Sequence, residues 1–209
     1  MSILKIAVFG GTGRVGSSFI RLAYYQGHTI QALVRDQDKA QELIPEATHI
    51  VGNVTQKDDI QATVNGCDVV FSSLGTDKTT TLSESMPLIR EVMEKQGINR
   101  LVTIGTAGIL NSRYEEGKYR FQSSESKRTK TFAAEEHLKA YLELESSTLN
   151  WTMICPTYLP DGEEEGGVRF EFDLLPKDGK KISTNDTARF AYEVLDSPSF
   201  FNKRVGICY

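Results

Sequence analysis

Gly10, Gly13 and Gly16 stand in the run "KIAVFGGTGRVGSSFIRLA" (Lys5–Ala23), between an apolar stretch and an amphipathic one. This is the spacing of a strand-to-helix turn that holds a dinucleotide's phosphates. Gly10 permits a tight turn off the strand, Gly13 lets the backbone approach a pyrophosphate, and Gly16 lets the helix pack close to the sheet. The amino end of the helix then offers free N–H groups and a partial positive charge. The position of the glycines, after a first strand and opening an amphipathic helix, makes the pattern informative.

A second group sits at the end of the next apolar run, "ALVRD" (Ala32–Asp36). A carboxylate at this strand tip would grip a ribose 2′-hydroxyl and repel a 2′-phosphate. The tip carries Arg35 instead, with Asp36 just beyond, and a guanidinium suits a bidentate phosphate contact. The expectation is NADP(H) in preference to NAD(H), with Arg14 assisting from the other side of the adenosine. The competing reading is a solvated Arg35 paired with Asp36 or Asp38.

These residues need a scaffold, and the chain supplies an alternation. Strand-like runs are Leu4–Phe9, Thr29–Val34, His49–Gly52, Asp68–Leu74, Leu101–Ile104, Trp151–Cys155 and Arg204–Cys208. Helical patterns fall at Arg14–Gln26, Asp38–Leu43, Asp58–Asn65 and about Ser85–Gln96, the last stopped by Gly97. Pro87 is expected in the first turn of that helix, where its missing N–H costs nothing. A further helix is expected over Ser126–Glu145. Strands alternating with helices imply a doubly wound, mostly parallel sheet in a single α/β domain of Rossmann type over residues 1–209. Two polar stretches break the rhythm directly after strands, within 107–126 and 157–181. Loops there gather at the carboxyl edge of the sheet, where ligands bind, so both are expected to be substrate loops.

Bulk properties narrow the partners. The 209 residues carry a net charge of -4, which argues against a nucleic-acid or anionic-membrane surface. No apolar stretch approaches the ~18 residues of a membrane span, and the amino end has no signal-peptide layout. Cys67, Cys155 and Cys208 read as reduced core thiols of a cytoplasmic protein. His28, His49 and His137 form no ligand spacing, so no metal is expected. The expected partner is a small planar acceptor, and the expected state a monomer or weak homo-oligomer.

With these residues in hand, the chain resembles the atypical short-chain dehydrogenase/reductases. It is similar to the NmrA-like NAD(P)H-binding proteins and, among them, to the flavin and biliverdin reductase branch. The markers are "FGGTGRVG" (Phe9–Gly16), "LVRD" (Leu33–Asp36), "IVGNV" (Ile50–Val54), "SSLGT" (Ser72–Thr76), "LNWTMICP" (Leu149–Pro156) and "ISTNDTARF" (Ile182–Phe190). The resemblance implies that Thr12, Gly13, Arg14 and Val15 line the pyrophosphate and that Asn53 and Val54 contact the adenine edge. It implies that Ser73, Leu74 and Gly75 pass beneath the cofactor and that Gly105 and Thr106 sit beside the nicotinamide ribose. Pro156, Thr157 and Tyr158 would flank the carboxamide.

One expected group is missing. The superfamily typically uses Tyr-x-x-x-Lys, with phenol and ammonium one helical turn apart. Lys130 falls where the lysine belongs, but Ser126 stands four residues earlier, and an aliphatic hydroxyl is a far poorer acid. Ser126, Lys130 and Thr106 are the candidate catalytic residues. A formal match at Tyr114 and Lys118 lies in a stretch that reads as loop, and Tyr119 and Tyr158 are other phenols within possible reach. Loss of the tyrosine argues against alcohol dehydrogenation. It is compatible with hydride transfer to a flavin, quinone or bilin, whose proton can come from water. It is equally compatible with a non-catalytic NAD(P)H sensor; a sugar-nucleotide epimerase is a weaker third reading. The basic residues Lys118, Arg120, Lys127, Arg128 and Lys130 could receive substrate carboxylates or be solvated. The acidic stretch Asp161–Glu165 reads as a mobile loop or a lid, and Asp186 as a helix amino-terminal residue with no catalytic part.

Overall fold

The structure is a computed structural model that describes residues 2–126 and 128–209; Lys127 of the basic segment lies outside the described residues. The chain alternates from its amino end: β1 (Lys5–Phe9), α1 (Arg14–Tyr25), β2 (Thr29–Val34), α2 (Gln37–Leu43), β3 (Thr48–Val51), α3 (Lys57–Val64), β4 (Val69–Ser72), α4 (Thr81–Gln96) and β5 (Arg100–Ile104). After a long loop come α5 (Phe132–Glu145), β6 (Asn150–Pro156), β7 (Arg169–Phe172), α6 (Thr184–Glu193) and β8 (Lys203–Cys208). The strands form one sheet in the order β3-β2-β1-β4-β5-β6-β8-β7. Every pairing is parallel except that of β7 with β8. This is the expected Rossmann-type α/β fold. Strand order reverses between β1 and β4, and a crevice opens at the carboxyl ends of strands at such a switch point.

The central strands are apolar on both faces, as a sheet covered by helices on both sides requires. Successive side chains point to opposite faces, so Val70, Leu101 and Trp151 join Met86, Ile89 and Leu144 in one core. Phe71, Val102 and Ile154 join Phe19, Ile20 and Ala191 in the other. Phe19 of α1 stacks on Phe71 of β4 with ring centroids 3.8 Å apart, which fixes the helix behind the glycine turn.

Three elements differ from expectation. Pro87 lies inside α4 rather than in its first turn, because the helix begins at Thr81. The added turn is held by burial of Leu82 and by the buried Glu136, which accepts hydrogen bonds from the Ser83 N–H and hydroxyl. The helix expected from Ser126 begins only at Phe132. Serines before it bond their own backbone instead: Ser123 Oγ reaches Arg120 O and accepts from Glu125 N–H, and Ser126 Oγ accepts from Arg128 N–H. Such local bonds compete with helix formation. Finally, the 157–181 stretch expected as a substrate loop contains β7, a short antiparallel edge strand.

Candidate functional site

The glycine turn forms because Gly10 has φ +80°, a left-handed conformation, and packs against the Ser73 backbone, 2.8 Å from where a Cβ would stand. Ser73 fastens it: its N–H donates to Phe9 O at 2.9 Å and its hydroxyl to Gly10 O at 3.0 Å. A Cβ at Gly16 would come within 2.3 Å of Gly10 O, so this glycine sets the closeness of α1 to the loop. Gly13 differs. Its Cβ would meet only Gly10 O at 3.1 Å, which leaves its outer side open. Gly13 is also the N-cap of α1, with no side-chain cap and no acidic residue in the first turn. The positive pole of the helix therefore meets no protein anion of its own first turn. Thr12 and Arg14 border this opening, and Val15 is a buried residue of the first turn of α1. A cradle of this kind fits a dinucleotide's pyrophosphate.

Arg35 is exposed at the end of β2. Asp36 accepts the Lys39 N–H at 3.0 Å and so caps α2, and among the described residues no carboxylate forms an ion pair with Arg35. The paired, solvated reading loses its partner. Asn53 is exposed, but its side-chain oxygen accepts the Thr55 N–H at 3.1 Å, and Val54 is buried in the core. Their expected contact with an adenine is thereby limited to the Asn53 amide and the local backbone. Leu74 and Gly75 follow Ser73 off the end of β4.

Arg14 is engaged within the chain. Its guanidinium donates to Leu159 O at 3.0 Å and to Asp161 Oδ1 at 2.9 Å, tying α1 to the loop after β6. That loop is anchored, not free. Asn185 donates to Glu163, Arg189 to Glu164 and Lys181 to Glu165. Beneath them Asp186, 1% exposed, accepts from the Glu165 N–H at 2.7 Å, the Gly166 N–H at 3.3 Å and the Tyr209 hydroxyl at 2.5 Å. Burial pushes the Asp186 carboxyl up, but these hydrogen bonds outweigh it and hold it below the usual carboxylate range.

At the carboxyl ends of β5 and β6 a cavity of about 460 Å³ opens. It brings together Thr106, Ser126, Lys130, Pro156, Thr157 and Tyr158 from the expected site. Gly105 lies just behind, where a Cβ would press on Met153 at 2.9 Å. The rest of the wall holds Phe121, Arg120, Arg128 and Lys180, with Glu125 among the basic residues. Glu125 accepts from the Ser112 hydroxyl at 2.6 Å and the Arg113 N–H at 2.7 Å, and pairs with Arg120 Nε at 3.4 Å. These bonds overcome the raising effect of burial and keep its carboxyl below the ordinary range. Glu125 therefore stays ionised and holds Arg120 at the wall. Lys180 and Glu125 escaped the sequence reading. Lys180 lies far along the chain after β7, and Glu125 is a lone acid among serines.

The helical Ser126–Lys130 pair is not realised, since both precede α5; they share a cavity wall instead. Tyr114 is 76% exposed, outside the cavity, and Lys118 pairs with Glu115 at 2.7 Å. Tyr119 leans on the buried Arg204. Tyr158, by contrast, lines the cavity. The three cysteines are buried free thiols, and burial pushes Cys67 up to about 11 and Cys155 up to about 12. They take no part in this site. Among the described residues no helix is long and apolar enough to cross a membrane.

Residues 10–198 match the family model described as "NAD(P)H-binding". The chain belongs to this NAD(P)H-binding family. Among curated relatives, the Photosystem II assembly factor Ycf39 of Synechocystis is 31% identical over 107 residues. That match takes in 51% of this chain and only 31% of Ycf39, so the chain spans about a third of that relative. Two solved structures share the whole fold. SP1627 of Streptococcus pneumoniae TIGR4, provisionally named an NADH-flavin reductase, is 23% identical with a TM-score of 0.82, covering 98% of this chain and 99% of that one. ChuY of Escherichia coli O157:H7, an anaerobilin reductase, is 19% identical with a TM-score of 0.81, covering 98% and 96%.

Proposed function

We propose that the protein is an NADPH-dependent oxidoreductase that passes hydride to a planar conjugated acceptor such as a flavin, quinone or bilin. The observation that carries this reading is the open cavity of about 460 Å³ at the ends of β5 and β6. A sensor would have that space filled by a side chain. The reductase names of SP1627 and ChuY are in keeping with it.

In this reading Gly13 and the amino end of α1 would hold the pyrophosphate, and Arg35 would hold the 2′-phosphate. Ser73, Leu74 and Gly75 run beneath, and Pro156, Thr157 and Tyr158 border the carboxamide. Bound nicotinamide supplies a hydride from its C4. The chain's own residues orient the acceptor: Phe121 and Tyr158 offer flat apolar surface, while Arg120, Arg128, Lys130 and Lys180 attract an anionic substituent. The helical Tyr-x-x-x-Lys pair is absent, because Ser126 stands at the tyrosine position and both it and Lys130 precede α5, so in this reading water protonates the reduced acceptor. The segments around 107–126 and 157–181 serve as substrate loops, and the protein works in the cytoplasm.

The test is NADPH oxidation followed at its absorbance band with FMN, a benzoquinone, a bilin and simple ketones in turn. Turnover with one or more of the first three and none with ketones is expected. Tight NADPH binding without turnover of any acceptor would leave only the sensor.

A further inference from the structure

We infer that the free edge of β7 is a self-complementary dimer interface, on which a second copy of this chain adds its own β7 in antiparallel register. β7 ends the sheet, next only to β8. The Asp173 N–H donates to Arg204 O at 2.8 Å, which continues the β7–β8 ladder in register. N–H directions alternate along a strand, so Arg169 and Glu171 face β8 while Val168, Phe170 and Phe172 aim their backbone groups outward. Such an open row is a template for another strand. It carries no proline and no lysine.

The side chains say which strand fits. Phe170 and Phe172 are 47% and 38% exposed and lie on one face, against Phe190 and Phe200 at 5.3–5.7 Å between centroids. Arg169 and Glu171 alternate with them on the other face. A two-fold axis through Phe170 sets Phe170 beside its mate and Phe172 beside the mate's Val168, with outward backbone groups matched. The same axis sets Arg169 opposite the mate's Glu171, and the reverse, at the close non-hydrogen-bonded positions. Shifting the axis by one residue to Glu171 would oppose the two Glu171 carboxylates, and Asp173, which would then face Arg169, has left the strand conformation at φ +59°, so the Phe170 axis is favoured. Both side chains already bond within their own chain, Arg169 to Lys177 O and Tyr209 O and Glu171 to Arg113, so across the axis they act as fixed charges rather than as new hydrogen bonds. The closed pair is isologous, as a two-fold dimer requires.

The test is sedimentation equilibrium of the full chain from micromolar to millimolar concentration. A monomer–dimer equilibrium is expected. R169E alone and E171R alone should each place like charges across the axis and weaken dimerisation at least tenfold. The double variant R169E/E171R restores opposite charges and should recover it. Circular dichroism of each variant separates loss of pairing from loss of fold. A protein that stays monomeric throughout, or a folded double variant no better than the singles, would overturn the assignment.

Discussion

Arg14 in the first turn of α1 and Asp161 in the loop after β6 face each other at 2.9 Å, joining the glycine turn to that loop. Both side chains are largely exposed, at 58% and 76%. An exposed pair of this kind is worth about 0–1 kcal/mol, so a dinucleotide's phosphates can compete for the guanidinium. Asp161→Ala should therefore leave stability within about 1 kcal/mol of the parent and tighten NADPH binding by up to about fivefold. Fluorescence titration beside a thermal melt measures both. Weaker binding in the variant would mean that Asp161 holds Arg14 where the cofactor needs it.

Arg35 should decide between the two nicotinamide cofactors. Asp36 is engaged as the α2 cap, and among the described residues no carboxylate pairs with the Arg35 guanidinium. Arg35→Ala should weaken NADPH binding by about 1.5–3 kcal/mol, the range for a hydrogen bond to a charged group, and barely alter NADH. Equal losses for both cofactors would remove Arg35 from that role.

The glycines of the turn should separate by what surrounds them. Gly13 opens outward, so Gly13→Val should abolish dinucleotide binding while the melting curve stays near the parent's. Gly16 is enclosed, with a would-be Cβ 2.3 Å from a backbone oxygen that cannot yield. Gly16→Val should lower stability by roughly 1–3 kcal/mol or more, seen in urea unfolding. Retained NADPH affinity in a folded Gly13→Val would move the cofactor elsewhere.

How far these residues could be read without coordinates depends on the range of the interactions that place them. β1, α1 and β2 were legible to within a residue, because apolar periodicity and the glycine turn are local signals. The role of Asp36 as a cap, and hence the freedom of Arg35, depends on a bond three residues long, but its geometry is invisible in composition. The Ser126–Lys130 spacing misled, since serines that bond their own backbone break a helix that spacing alone would continue. β7 was hidden because four residues with exposed aromatics look like loop until β8 pairs with them. Lys180 reaches the cavity only through that fold-back.

The anchor beneath the acidic loop should titrate. Hydrogen bonds lower the Asp186 carboxyl in the folded chain relative to its unfolded value. Its contribution to stability is thus fully present above the unfolded carboxylate range, near pH 4, and is lost as pH falls through the lower folded value. Hydrogen exchange of the Glu165 and Gly166 amides should remain slow at pH 5 and accelerate well below pH 4. Asp186→Asn, which keeps size but removes the charge, should show fast exchange there at every pH. Protection unchanged in the variant would show that Lys181, Arg189 and Asn185 suffice to hold the loop.

The basic wall should select acceptors by charge. Arg120 is held by the ionised Glu125 through its Nε. Its side chain is 20% exposed and lines the cavity, so an anionic substituent there meets a partly desolvated guanidinium. FMN carries a phosphate that riboflavin lacks, while the reacting ring is the same. Arg120→Ala should therefore raise KM for FMN by about ten- to a hundredfold, the equivalent of roughly 1.5–3 kcal/mol, and change riboflavin little. The maximal rate should fall less than KM rises, because the contact is made equally in ground and transition states. Glu125→Gln keeps the shape but removes the charge that fixes Arg120, so it should reproduce the same pattern in weaker form. Raising salt should blunt the FMN preference of the parent protein and leave riboflavin turnover unmoved. If both flavins lost turnover alike in Arg120→Ala, the arginine would be acting on the ring or the loop, and the phosphate would have to be met by Arg128, Lys130 or Lys180.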